Sequence, residues 1–173
     1  MYDGEVTTTE SRADQALRLD AQLCYAVHAA SRAFDGLYRV TLREAGLTYP
    51  QYLVMLVLWE HGDVTVKELG RRLRLDSGTL SPLLKRLEAA GIVERRRGTQ
   101  DERSVTVRPT QAGTALRERV CAVPLKTAAS TGIDLDEMDE LRGRLKALTE
   151  SLDTYTASLS EPAAAGAGGG AEA

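Results

Sequence analysis

Two cysteines, Cys24 and Cys121, are the residues of this 173-residue chain best equipped for redox or nucleophilic chemistry. A cysteine reacts as its thiolate, so such chemistry needs a sulfur that solvent can reach and surroundings that support its charge. Cys24 falls within LDAQLCYAVHAASRAF (Leu19 to Phe34), an amphipathic helical pattern, on the side of Leu23, Val27 and Ala30. There it is either a small core residue, because free cysteine packs like a hydrophobe, or a reactive thiol. His28 lies one turn later on the same face. Almost a hundred positions separate the two cysteines, which excludes a disulfide framework, and neither Cys-x-x-Cys nor clustered histidines point to zinc. No metal and no cofactor is expected.

Charge is the second chemical resource. The net charge is −3, which speaks against a general polyanion binder. The charges are nevertheless segregated: Lys67 to Arg108 holds 11 Lys+Arg against 6 Asp+Glu, or +5, and the remainder 11 against 19, or −8. A basic module inside an acidic chain is either a solvated face or a nucleic-acid site, and the fold that carries it decides between them.

The elements that position these residues belong to a chain long enough for one domain with a core. It has no run of eighteen apolar residues, and its polar, acidic start has no hydrophobic segment behind a basic one. Neither a membrane span nor a secretory signal is expected, which places the protein in the cytoplasm with no membrane partner. Residues 1–13 and the Ala/Gly-rich 161–173 have little to bury and are expected to be disordered tails. Between them, TYPQ (Thr48 to Gln51), TVKE (Thr65 to Glu68) and DLDE (Asp134 to Glu137) read as capping boxes that open helices. Asp76 caps a further helix from about Ser77 to Ala90, ended by Gly91. The period then changes: IVERRR (Ile92 to Arg97) and SVTVRP (Ser104 to Pro109) flank a polar turn as a short basic hairpin. Thr110 opens another helix, which Pro124 stops or bends. In the last helix Met138, Leu141, Leu145, Leu148, Leu152, Tyr155 and Leu159 form a coiled-coil-like stripe. One helix cannot bury it alone, so a second subunit and the first helix of the same chain are both expected to cover it.

Helix, turn, helix and basic hairpin make a winged helix-turn-helix. The expected fold is mainly α with a small β-hairpin wing, in a dimeric architecture. Its DNA-binding lobe spans 48–109, and 14–47 and 110–160 form a helical dimerisation region. A recognition helix in the major groove presents small polar groups at its N-terminal end and cations further along. Ser77, Gly78, Thr79 and Ser81 meet the first need, Lys85 and Arg86 the second. Arg95, Arg96, Arg97 and Arg103 of the wing can reach phosphates or an adjacent minor groove. Pro82, beyond the first turn of that helix, is unexplained by local propensity.

The run DERSVTVRPT (Asp101 to Thr110) resembles the D-x-R wing signature of MarR-type regulators, which are dimeric winged-helix repressors of double-stranded operator DNA. With it, LDAQLCYAVHAASR, LTYPQYLVMLVLWE and LDSGTLSPLLKRLEAAG resemble the organic hydroperoxide resistance (OhrR) type within that family. The resemblance covers Leu19 to Leu159 and includes Pro82. It implies that Asp101 and Arg103 serve the wing's DNA contact. It implies also that Cys24 is a sensor whose thiolate an organic hydroperoxide oxidises, releasing the operator, and that Tyr38 and Tyr49 hydrogen-bond its sulfur. His28 either helps stabilise the thiolate or only lines the pocket.

Fourteen residues separate Cys24 from Tyr38, roughly 21 Å along a continuous helix at about 1.5 Å per residue. The two meet only if a second subunit brings its own Tyr38 and Tyr49. Two-cysteine relatives carry a resolving cysteine at what is Ala129 here, and Cys121 lies eight residues earlier, roughly 12 Å along a helix. The expectation is a one-cysteine sensor resolved by a small cellular thiol, with Cys121 a core residue. Two competing readings are a MarR-like repressor released by a small aromatic ligand and a thiol peroxidase. The second would need a resolving thiol and a recycling partner, so no enzymatic activity is expected.

Overall fold

Most elements begin and end where side chains can serve backbone groups that a helix leaves unpaired. The computed structural model describes residues 12–97 and 104–160. The expected tails, except for residues 12 and 13, and the wing tip carrying Asp101 and Arg103 lie outside the described residues. Helix α1 (Arg12–Ala16) begins just inside the stretch assigned to the N-terminal tail.

Helix α2 (Leu23–Thr41) is continuous but starts later than the pattern suggests. Leu19–Ala21 form a single 3-10 turn, in which Arg18 pairs with Asp20 at 3.0 Å. Gln22 is extended and donates from its side chain to the Arg18 carbonyl at 3.1 Å. These local bonds compete with the helix and delay it by one turn.

The capping signals hold with one modification. Helix α3 (Tyr49–His61) opens on Thr48, whose N–H donates to Gln51 Oε1 at 2.9 Å, with Pro50 in the first turn where its missing N–H is not needed. Thr65 caps α4 (Val66–Leu73), accepting from the Glu68 N–H at 3.1 Å. The Glu68 carboxylate pairs instead with Arg71 and Arg72, each at 2.6 Å, which holds it at about 2, well below the ordinary glutamate value. Asp76 caps α5 (Ser77–Ala89), taking the Thr79 N–H at 2.9 Å, and Gly91 follows with φ 68°. Pro82 lacks an N–H that would have met the carbonyl of Gly78, an exposed residue, and α5 continues through it without a break.

The hairpin forms as expected, from β2 (Val93–Arg97) and β3 (Val105–Pro109), antiparallel with Arg95 opposite Val107. A third strand that sequence periodicity does not reveal, β1 (Val64–Thr65), pairs with the other edge of β3 in the order β1-β3-β2. Thr110 caps α6 (Gln111–Val120) by accepting from the Gly113 N–H at 3.1 Å. The chain breaks at Cys121 and resumes as α7 (Val123–Ala129), with Pro124 in its first turn. Asp134 and Glu137 form a complete capping box at the start of α8 (Leu135–Ser160), at 2.8 and 3.2 Å.

Two compact units divide after Thr127. In the first, one core runs from Leu42 to Val123, with Leu58, Leu69, Leu80, Leu87 and Val107 at most 1 % exposed. Gly113 seats α6 on it: a Cβ there would stand 2.1 Å from the Ile92 carbonyl oxygen, and its own carbonyl accepts from Trp59 Nε1 at 2.9 Å. In the second unit α8 has no buried residue, and Leu141, Leu145, Leu152, Tyr155 and Leu159 of its stripe are exposed.

Candidate functional site

Helix α5, the expected recognition helix, sorts its residues cleanly. Leu80, Leu83, Leu84 and Leu87 enter the core, while Ser77, Gly78, Thr79, Pro82, Lys85 and Arg86 face solvent and Ser81 is half-buried. The 3.6-residue period alone produces this separation. The Thr79 hydroxyl is engaged by Asp76 Oδ2 at 3.0 Å, and these bonds to Thr79 hold the Asp76 carboxyl below the ordinary aspartate value. Between α4, α5 and the wing lies an open cleft of approximately 810 Å³, lined in part by Lys67, Arg71, Ser77, Ser81, Arg95 and Ser104.

The arginines of β2 are not equivalent. Strand alternation turns Arg95 toward α5, where its Nε donates to Glu88 Oε2 at 2.8 Å and its Nη2 to the same oxygen. The Arg95 N–H adds a bond to Glu88 Oε1 at 3.3 Å. On the opposite face Glu94 accepts from Arg108 across the strand pair and lies 3.4 Å from Arg96. Arg95 and Arg108 hold Glu88 and Glu94 respectively below the ordinary glutamate value. Arg96 and Arg97 are exposed. Sequence reading did not single out Glu88, and no local pattern marks it, because its partner is seven residues away across a change of secondary structure.

The thiol region lies elsewhere. Cys24 is exposed in the first turn of α2, so it is not a core residue within the chain. Leu23, Val27, Ala30 and His28 around it are exposed too. Tyr38, near the other end of the same unbroken helix, stacks on Tyr49 with ring centroids 4.3 Å apart and planes at 17°. Tyr52, which the sequence does not single out, joins them at 5.9 Å from Tyr38 and is only 2 % exposed. Its position three residues after Tyr49 on α3 was the available signal. Burial first, then Tyr38 and Asp35, raise the Tyr49 phenol above its ordinary value, and burial first, then Tyr38 and Tyr49, raise Tyr52. Both therefore keep their O–H donors at neutral pH. Helix α2 thus carries a thiol at one end and, at the other, Tyr38 stacked on Tyr49 of α3, and the thiol and the phenols do not meet within the chain.

Cys121 is also exposed, against the expectation of a core position, and its sulfur donates to the Glu118 carbonyl at 3.1 Å. Ala129, the expected resolver position, is exposed at the end of α7. Among the described residues no cluster of His, Cys, Asp or Glu could hold a metal ion, and no helix is long and apolar enough to cross a membrane.

Residues 36–120 match the family model described as transcriptional regulator SarA/Rot. The chain is 48% identical over 151 residues to the HTH-type transcriptional regulator TtmR of Methylorubrum extorquens, covering 87% of this chain and 77% of that protein. It is 40% identical over 136 residues to the organic hydroperoxide resistance transcriptional regulator of Bacillus subtilis, covering 79% and 92%. Among solved structures, reduced AbfR of Staphylococcus epidermidis bound to DNA superposes with a TM-score of 0.70 at 36% identity, covering 83% of this chain and 99% of that one.

Proposed function

Because this chain belongs to the MarR/SarA family of winged-helix transcriptional regulators, we propose that it is a homodimeric repressor that releases operator DNA when an organic hydroperoxide oxidises Cys24. The observation that carries the proposal is the division of α2: an exposed thiol amid exposed apolar residues at its start, and the stacked Tyr38–Tyr49 pair fourteen residues on. Two copies placed antiparallel along α2 bring each Cys24 to its partner's phenol donors and cover Leu23, Val27 and Phe34. The exposed apolar residues of α2, and separately those of α8, are available to a second subunit. Likeness to the hydroperoxide resistance regulator and to DNA-bound AbfR supports both halves of this reading.

In the sensing step the Cys24 thiolate attacks the terminal oxygen of the hydroperoxide. The S–O bond forms as the O–O bond breaks, the leaving alkoxide takes a proton to become an alcohol, and sulfur is oxidised to sulfenic acid. A small cellular thiol then condenses with the sulfenic acid, giving a mixed disulfide and water. Tyr38 and Tyr49 donate to the sulfur anion, with His28 beside it, and Cys121 takes no part. In the DNA-bound state Ser77, Thr79 and Ser81 approach the base edges. Lys85, Arg86 and the exposed wing cations Arg96 and Arg97, with Arg103 positioned by Asp101, hold the backbone and minor groove. The soluble dimer works in the cytoplasm without enzymatic turnover.

The test is operator binding before and after titration with an organic hydroperoxide, with mass spectrometry of Cys24. Cys24→Ser is expected to bind like the parent and to stay bound after oxidation. A serine variant that still dissociates would return Cys24 to the status of a structural residue.

A further inference from the structure

The run Arg95-Arg96-Arg97 looks in sequence like one uniform patch of phosphate contacts, but the structure divides it. Arg95 is spent on Glu88, the acidic residue near the C-terminal end of the recognition helix, through three bonds that use both carboxylate oxygens. The side chains of this pair are only 30% and 36% exposed, so water competes less for them than for the outer pairs of the chain. One bond comes from the Arg95 backbone, so Glu88 grips the strand itself as well as a flexible side chain. Arg96 and Arg97 continue past the grip toward the tip and are exposed.

We propose that Glu88 and Arg95 form a strut that fixes the angle of the wing on the recognition helix, so that Arg95 serves DNA binding as a positioning residue and does not touch DNA. Arg96 and Arg97 lie one and two residues beyond the grip, about 3 and 7 Å along β2, so a wing free to pivot at its base would change the angle at which both meet a groove that α5 had already entered. Glu94 and Arg108 tie the two wing strands to each other and not to α5, so they do not replace the strut.

The inference rests on the operator-binding reading, and simple electrostatics predicts the opposite sign for its key variant. Glu88 is a negative charge on a DNA-facing lobe; if it had no positioning role, neutralising it would tighten binding. The probe is a duplex selected by the full-length wild-type protein from a random-sequence pool. Glu88→Gln is expected to weaken binding to that duplex about 5- to 10-fold, the range of a partly shielded ion pair, with the thermal midpoint little changed. Arg95→Ala is expected to weaken it by a similar factor with the salt slope unaltered, and the double variant to be no weaker than either single. Arg96→Ala and Arg97→Ala are each expected to lower the salt slope by about one. In hydroxyl-radical footprints Glu88→Gln should lose protection in the flanking minor groove while keeping that of the central major groove. Tighter or unchanged binding by Glu88→Gln, or a salt slope lowered by Arg95→Ala, would overturn the strut. A wild-type protein that selects no duplex would overturn the operator reading and the strut with it.

Discussion

The lobe built from α3 to α6 and the two long helices α2 and α8 handle apolar residues in opposite ways. In the lobe leucines, valines and a methionine close on one another within a single chain, and several are wholly inaccessible. Along α2 and α8 no residue is buried, although both carry leucines at helical spacing, with Leu23 at 63% and Leu152 at 57% exposure. Monomeric soluble proteins rarely expose apolar stripes of that length. The lobe is therefore closed within one chain, whereas the apolar faces of α2 and of α8 are each left open by it, and the sensor proposed on α2 is complete only in the proposed dimer.

The sharpest way to test this contrast is to damage each region and ask what fails. Leu87→Ala empties a fully buried site on the core-facing side of α5. It is expected to destabilise the protein by about 2–5 kcal/mol, read by denaturant unfolding, and to lower operator binding through loss of folded protein. Leu152→Asp places a charge on the α8 stripe, where each dimer would lose two buried leucines worth about 1.5–3 kcal/mol apiece. Subunit affinity is expected to fall by at least about 100-fold, read by light scattering, while the monomer keeps its helicity. An unchanged mass with a lower thermal midpoint would erase the distinction between the regions.

The same contrast explains what the sequence revealed. Elements whose cause is local were legible: Asp76 and Gly91 bracket α5, Thr48 and Gln51 open α3, and Asp134 and Glu137 open α8, each through bonds spanning three residues or a single backbone conformation. Features whose cause is distant were not. Strand β1 is two residues long and exists because β3, forty residues on, offers an edge. The burial of Tyr52 depends on Tyr38 and Trp59. Arg95 looked free because charge counting cannot see which face of β2 it takes. At the thiol site, the separation of Cys24 from Tyr38 was legible as helix arithmetic and the unbroken α2 meets its condition, but the stacking of Tyr38 on Tyr49 was not.

The smallest expected effect lies in the lobe and concerns strain within a region otherwise well packed. Arg74 closes α4 with φ 55° and ψ 39°, the one non-glycine among the described residues with positive φ. That left-handed conformation costs an ordinary L-residue roughly 1–2 kcal/mol, and it is needed because the chain must turn within three residues to place Asp76 at the head of α5. Leu75 N–H closes the turn on the Gly70 carbonyl at 2.9 Å. Glycine adopts this conformation freely but loses more entropy on folding, which cancels part of the gain. Arg74→Gly is expected to raise stability by up to about 1 kcal/mol, a few degrees in the thermal midpoint. Such a gain would place the strain in the turn alone and leave the packing of the lobe untouched. A loss of stability would mean that the Arg74 side chain contributes more to the turn than its backbone conformation costs, and that the lobe relies on surface contacts there as well as on its core.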